Sequence, residues 1–249
     1  MKRNTIKLLA ITSMTVDHIA FMFAAPDSAL YFIMRLIGRM TAPIMTFMLA
    51  EGFRYTRSRP KYLLRLLAFA LISQPFYFRM LFGHAPASVL EYLTHWNVMF
   101  TLAAALLTLM LLESKLPQTP RLILMGVCIS FAQFGDWSYM IPVWAIIFYL
   151  FRDDRRKQTM FFMLSSLMMI RVMVLSQPEN ALALSFQYGT LLALIPIQRY
   201  QGDDSSGRNK SAYKWVYYLY YPFHIAALSF ICNLVNIDEL SHYLMVSIL

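Results

Sequence analysis

The stretch LLAITSMTVDHIAFMFAA, residues 8–25, decides how the rest of the chain is read. It is apolar enough to sit in lipid, yet Asp17 and His18 stand side by side in its middle. Lys2, Arg3 and Lys7 precede it, as they would a secretory signal. A signal core carries no Asp-His pair, however, Phe23 is too bulky for a small-residue cleavage pattern, and Pro26 follows the candidate site. The stretch therefore reads as an uncleaved first membrane helix.

Working outward, the chain has 249 residues, of which 59% are hydrophobic and 14% charged, with a mean hydropathy of +0.51. A soluble domain carries about 25% charged residues, so this composition describes an all-α, polytopic membrane helical bundle. A spanning helix needs roughly 20 mostly apolar residues. That length locates segments near 6–25, 29–53, 61–82, 97–113, 121–135, 137–151, 158–175, 184–198 and 213–235, nine passes in a single domain over 1–249. Eighteen of the twenty-two Lys and Arg residues fall on alternate connections, while "APDSA", "GHAPASVLEYLTHW", "GDW" and "SQPENALA" hold none. Basic residues accumulate in cytoplasmic loops, so the amino terminus is expected in the cytoplasm and the carboxyl terminus outside it.

The net charge of +9 is then accounted for by topology and by anionic membrane lipids. No basic run is interleaved with aromatics, and the longest polar linker, "QRYQGDDSSGRNKSAYK", has mixed charge, which excludes a nucleic-acid partner. Cys128 and Cys232 lie in apolar runs with neither disulfide nor zinc spacing, and no metal site is expected. The eighteen methionines read as packing. The fifth and sixth segments are short, about 15 residues or ~23 Å each, so the Gly135-Asp136 turn is expected to dip below the outer surface.

Ionisable residues within spans carry most of the information, because burying them in lipid is costly. Counting the helical rise, Asp17 lies roughly 16 Å in from the cytoplasmic face, Arg39 roughly 15 Å in from the other, and His224 about 15 Å from the cytoplasm. Three distant segments thus converge near the midplane. Arg35 and Arg39, four apart, share a helix face, whereas Asp17 and His18 point about 100° apart. Asp17 is therefore expected to pair with Arg39 or Arg35 rather than to orient His18, leaving His18 to face the centre of the bundle. Arg171, Gln133, Gln187 and Asn97 are candidates to complete a polar lining. His18 reads either as a core histidine or as a working one, and the Asp17 pair as structural or catalytic. Glu51 reads as a solvated partner for the following arginines. No G-x-S-x-G, P-loop, H-E-x-x-H or Gly-rich dinucleotide turn is present.

Four strings, "IKLLAITSMTVDHIA", "LIGRMTAPIMTFMLAEGFRYTRSRPKYLLRLLAFALIS", "NVMFTL" and "YLYYPFHI", follow in order between residues 6 and 225, spread across nearly the whole chain. Together they resemble the TraX family of membrane proteins, whose namesake is an acetylase of conjugative pilin. The resemblance implies an acetyl-CoA-dependent N-acetyltransferase of the bacterial inner membrane, with a pilin subunit as acceptor. Carried over, the family's Asp-His pair falls on Asp17 and His18, its helix 2 arginines on Arg35 and Arg39, and its Glu-Gly on Glu51 and Gly52. Its Asn falls on Asn97, and its late Tyr-Pro-x-His on Tyr221, Pro222 and His224. Many members carry an Asp-Tyr-Gly-x-x-Gly-like turn where this chain has "DWSYMIP", keeping Asp136 but neither glycine.

On that reading His18 is the candidate base, since a neutral imidazole can take the proton of an attacking amine, and Arg39, His224 or Asn97 would stabilise the oxyanion. Arg35, Arg54, Arg57, Arg59, Lys61 and Asn97 are the candidate donor-binding residues, the basic loop docking the phosphates of acetyl-CoA. A proton-coupled transporter is the competing class, for which midplane Asp, His and Arg are equally natural. An acyltransferase acting on an envelope sugar or lipid, and a non-enzymatic pilin insertion factor, are further alternatives.

Overall fold

A computed structural model describes residues 1–84, 86–202 and 210–234, and among them the regular structure is helical, with twelve α-helical segments. Among the described residues four stretches are long and apolar enough to cross a membrane, as a multi-pass membrane protein requires: Arg3–Phe23, Ala29–Tyr55, Arg155–Ser176 and Pro178–Gln198. Two compact units are distinguished, one within residues 1–44, 76–85 and 166–249, the other within 45–75 and 86–165.

The first unit opens with α1 (Arg3–Phe23), which buries Ile6, Ala10, Ser13, Met14, Asp17, Ala20 and Phe21, a stripe at three- and four-residue spacing that marks one helix face. Ser28 then caps α2 (Ala29–Gly38), its hydroxyl accepting the Tyr31 N–H at 3.1 Å. Sequence reading runs one segment over 29–53, but the helix breaks after Gly38 and resumes as α3 (Thr41–Tyr55). Pro43 is the cause. It has no N–H for the Arg39 carbonyl four residues back, and its ring crowds that carbonyl. The chain tightens instead, with Met40 N–H donating to Ile37 O at 3.2 Å before Ile44 N–H reaches Met40 O at 3.2 Å.

The segment expected as one helix over 184–198 is three pieces: α10 (Ala181–Leu184), a 3₁₀ stretch over Ser185–Ala193 and α11 (Leu194–Gln198). Nine residues of 3₁₀ helix are uncommon, since runs beyond three or four are disfavoured. Here the narrower coil lets Gly189 lie directly against the Leu36 carbonyl of α2, where a Cβ would collide with backbone. The unit closes with α12 (Lys210–Leu234), beside α1.

In the second unit, Ser58 and Pro60 start α4 (Arg59–Phe82) two residues earlier than its hydropathy suggests, proline being favoured in a first helical turn. A short α5 (Val89–Thr94) stands in the connection read as a plain loop. Its start is a variant of the capping box: the Ser88 hydroxyl accepts Glu91 N–H at 3.1 Å, and the Glu91 carboxylate reaches one residue past the cap to accept Ala87 N–H at 2.6 Å. Then come α6 (Val98–Leu112), α7 (Gln118–Phe131), α8 (Met140–Leu150) and α9 (Arg155–Ser176), the last starting at Asp154, whose carboxylate accepts Lys157 N–H at 3.0 Å. That hydrogen bond, with the Lys157 ammonium, holds the Asp154 carboxyl below its ordinary range.

Between α7 and α8, Asp136 N–H donates to Trp96 O at 2.8 Å and Thr101 Oγ1 donates to Asp136 O at 2.8 Å. Trp137 and Ser138 follow with φ of 64° and 48°, in the left-handed region. Ser138 thus adopts the conformation glycine favours, and its hydroxyl donates to Gln133 Oε1 at 2.7 Å. Ser138→Gly is expected to be tolerated. Ser138→Val should lower stability by about 1–2 kcal/mol, because a β-branched side chain is crowded at positive φ. Thermal unfolding in detergent distinguishes the two, and equal melting temperatures would contradict the strain.

Candidate functional site

Asp17 and His18 leave α1 in different directions and find different partners. Asp17 Oδ2 accepts Arg35 at 2.9 Å and Arg39 at 2.5 Å. The ion pair expected with one arginine is made with both, and all three residues are buried. Two guanidiniums share one carboxylate. Aromatic faces also receive them: the Arg35 guanidinium lies 5.0 Å from the Phe186 ring centre and 5.5 Å from Phe21, and Arg39 lies 5.5 Å from Phe186.

Glycine makes this approach possible. A Cβ on Gly38 would overlap the Asp17 carboxyl, and one on Gly189 would strike the Leu36 carbonyl of α2. The segment of α2 and its C-cap that carries the two arginines thus makes two close glycine contacts. Gly189→Ala meets rigid backbone and should cost about 1–3 kcal/mol or more. Gly126→Ala, with nothing within 4 Å, should instead gain roughly 0.5–1 kcal/mol from helix propensity. Melting temperatures of the two variants should therefore move in opposite directions.

His18, expected to face the centre of the bundle, meets His224. Its Nδ1 lies 2.8 Å from His224 Nε2, with the rings within 6° of parallel. His224 Nδ1 lies 2.9 Å from the Tyr220 carbonyl, and the Tyr220 ring stacks on His224 at 5.0 Å. The Tyr220 hydroxyl and Thr15 Oγ1 share a hydrogen bond of 2.6 Å, fastening α12 to α1 one turn before His18. Thr15 and Tyr220 escape a motif search, but each lies one turn before its histidine, Thr15 three residues ahead of His18 and Tyr220 four ahead of His224, which puts it on the same helix face. His18 is half-buried and His224 is buried. His224, expected among the oxyanion donors, has both ring nitrogens engaged, Nε2 with His18 and Nδ1 with the Tyr220 carbonyl.

The other expected residues fall elsewhere. Asn97 is fully buried, and its amide is spent within the second unit: Nδ2 donates to Ala70 O at 2.7 Å and to Gln74 Oε1 at 2.8 Å, while Oδ1 accepts Met99 N–H at 3.0 Å. It caps α6 and pins α4, with both amide hydrogens engaged. In the basic loop, Arg59 is bound to Glu113, itself engaged by the Tyr149 hydroxyl, and stacks 4.0 Å over Phe53. Its guanidinium is committed to structure. Arg54 pairs with Glu51 at 3.5 Å, as expected of Glu51, while Arg57 and Lys61 are exposed. Gln187 is buried in the 3₁₀ stretch, but Gln133 and Arg171 are exposed and line no buried polar cluster. No group of three or more His, Cys, Asp or Glu suited to a metal occurs among the described residues.

The family model described as TraX protein matches residues 2–232. The chain belongs to the TraX family. This TraX member is 34% identical over 230 residues to the probable fimbrial assembly protein FimC, serogroup H1, of Dichelobacter nodosus, a match covering 90% of this chain and 92% of the relative. No solved structure matches it.

Proposed function

We propose that this TraX member is a membrane-embedded acetyltransferase that moves an acetyl group from acetyl-CoA to an amine, the amine being the amino terminus of a pilin subunit. The observation that carries the reading is the half-buried His18, hydrogen-bonded to His224 and next in sequence to Asp17, whose carboxylate is held by the buried Arg35 and Arg39. A base and fixed positive charge are what amine acylation requires of a protein. His18 takes the proton that the amine loses as it attacks. Arg35 and Arg39 remain protonated, so they act as charge and never as bases. The fimbrial role printed for the relative supports a pilus subunit as acceptor. We place the protein in the inner membrane with nine passes and a cytoplasmic amino terminus, the arrangement its loop charges favour.

The acyl donor is a polyanionic thioester that supplies the acetyl group when bound. The exposed Arg57 and Lys61, with Arg54 beside them, suit its phosphates. Charge reversal at Arg57 and Lys61 should weaken acetyl-CoA binding by at least about tenfold in calorimetry, as expected for loss of about 1.4 kcal/mol or more of charge-assisted contacts. Unchanged affinity would return these residues to the role of topology signals. Reversal at Arg59 is not equivalent, because it would disrupt the Glu113 and Phe53 contacts.

A transporter is favoured by one feature, the interruption of the second span at Arg39, since broken helices line transport sites. The deciding experiment is the intact mass of a candidate pilin co-expressed with and without this protein. A gain of one acetyl group, lost on blocking the pilin amino terminus, is the expected result. An unchanged pilin mass in the presence of well-expressed protein would overturn the enzyme reading.

A further inference from the structure

We propose that His224 is a positioning residue that fixes the tautomer of His18, so that His18 carries its proton on Nδ1 and presents Nε2 as the base. The argument runs along three hydrogen-bonding groups. The Tyr220 carbonyl can only accept, so His224 Nδ1, 2.9 Å away, must carry the hydrogen between them. A neutral imidazole has one N–H, which leaves His224 Nε2 with a lone pair. His18 Nδ1 sits 2.8 Å from that lone pair in a nearly parallel ring, so it must be the donor. Its own Nε2 is therefore bare, and no hydrogen bond to that atom is found among the described residues.

The adjacent carboxylate does not compete for this role. Asp17 Oδ2 is held by Arg35 and Arg39, and Oδ1 lies against Gly38. The histidine is thus oriented by a neutral partner on α12, where a serine-type triad uses a carboxylate. Tyr220 sets this partner through its carbonyl and through its ring, and its hydroxyl ties the assembly to Thr15.

The consequence for chemistry rests on the acetyltransferase reading. As the amine nitrogen bonds to the acetyl carbon, its proton passes to His18 Nε2. The carbon–sulfur bond breaks with its electron pair on sulfur, and His18 then returns the proton to that sulfur, giving the amide and a free thiol. Throughout, the Nδ1–H bond to His224 Nε2 persists and shares the transient positive charge between the two rings.

The tautomer can be read without any assay of activity. In full-length protein labelled with ¹⁵N-histidine, with the His18 signals assigned by their loss in His18→Gln, Nδ1 should be protonated and Nε2 bare. This is the reverse of the form histidine prefers in water. His224→Leu removes the acceptor and should return His18 to the Nε2–H form, with kcat lowered on the order of 10²-fold and KM unchanged. His224→Gln offers an amide oxygen to the same donor, so it should keep the wild-type tautomer and most of kcat. A wild-type His18 protonated on Nε2, or a Leu variant that keeps Nδ1–H, would overturn the proposal. Absence of acetyl transfer with the expected tautomers would instead count against the enzymatic reading alone.

Discussion

Asp17→Ala is expected to deplete the folded protein more severely than any other polar substitution in the first unit. The carboxylate is the shared acceptor of two buried guanidiniums, at 2.9 Å and 2.5 Å. Removing it takes the shared acceptor from both, and breaking one such buried pair costs about 3–5 kcal/mol. Total stabilities of folded proteins are about 5–15 kcal/mol, so the loss is a large share of the whole. The aromatic faces of Phe21 and Phe186 soften the penalty without supplying a counter-charge. Asp17→Asn keeps an acceptor oxygen and the side-chain shape but not the charge, and should fall between wild type and Ala. Arg39→Lys should also be damaging, since an ammonium cannot replace a planar guanidinium that both pairs with Asp17 and stacks on Phe186. Expression level and melting temperature in detergent measure all three. An Asp17→Ala protein as stable as wild type would mean that Arg35 and Arg39 are satisfied without it.

Much of this arrangement was legible in the sequence, and its gaps have physical causes. Helical rise alone puts Asp17, Arg39 and His224 at one depth, because depth along a spanning helix depends only on residue count. Which way a side chain faces is another matter. Arg171 falls within a span yet is exposed, since the contacts of its helix, not its depth, set its face. The pairing of His18 with His224 joins residues 206 apart, and nothing local in either segment announces it. Other misses were readable. Pro43 in an apolar run signals the break after Gly38, "SVLE" is the capping-box pattern for α5, and an Asn directly before "VMFTL" is an N-cap, which is where Asn97 sits. The 3₁₀ stretch over Ser185–Ala193 was not readable, because its geometry depends on the Leu36 carbonyl that meets Gly189.

His18→Ala should separate chemistry from stability in the opposite sense to Asp17→Ala. The His18 ring is half-buried, and its removal breaks one side-chain hydrogen bond, with His224 still held by Tyr220. A single hydrogen bond contributes about 1 kcal/mol, so the variant should fold, express and bind acetyl-CoA much as wild type does. Loss of a positioned base lowers a rate typically by 10²–10⁴-fold, and on the proposed reading that loss appears in kcat. Attack needs the neutral amine with or without His18, and an α-amino group has a pKa of about 7.7–8.0, so turnover of both proteins should climb as pH rises through about 8, with the Ala variant lower throughout. The measurement is acetylation of a peptide bearing a free amino terminus, followed by mass over a pH series with purified proteins. Wild-type turnover by His18→Ala would make the histidine pair a packing feature of α1 against α12 and remove it from the mechanism.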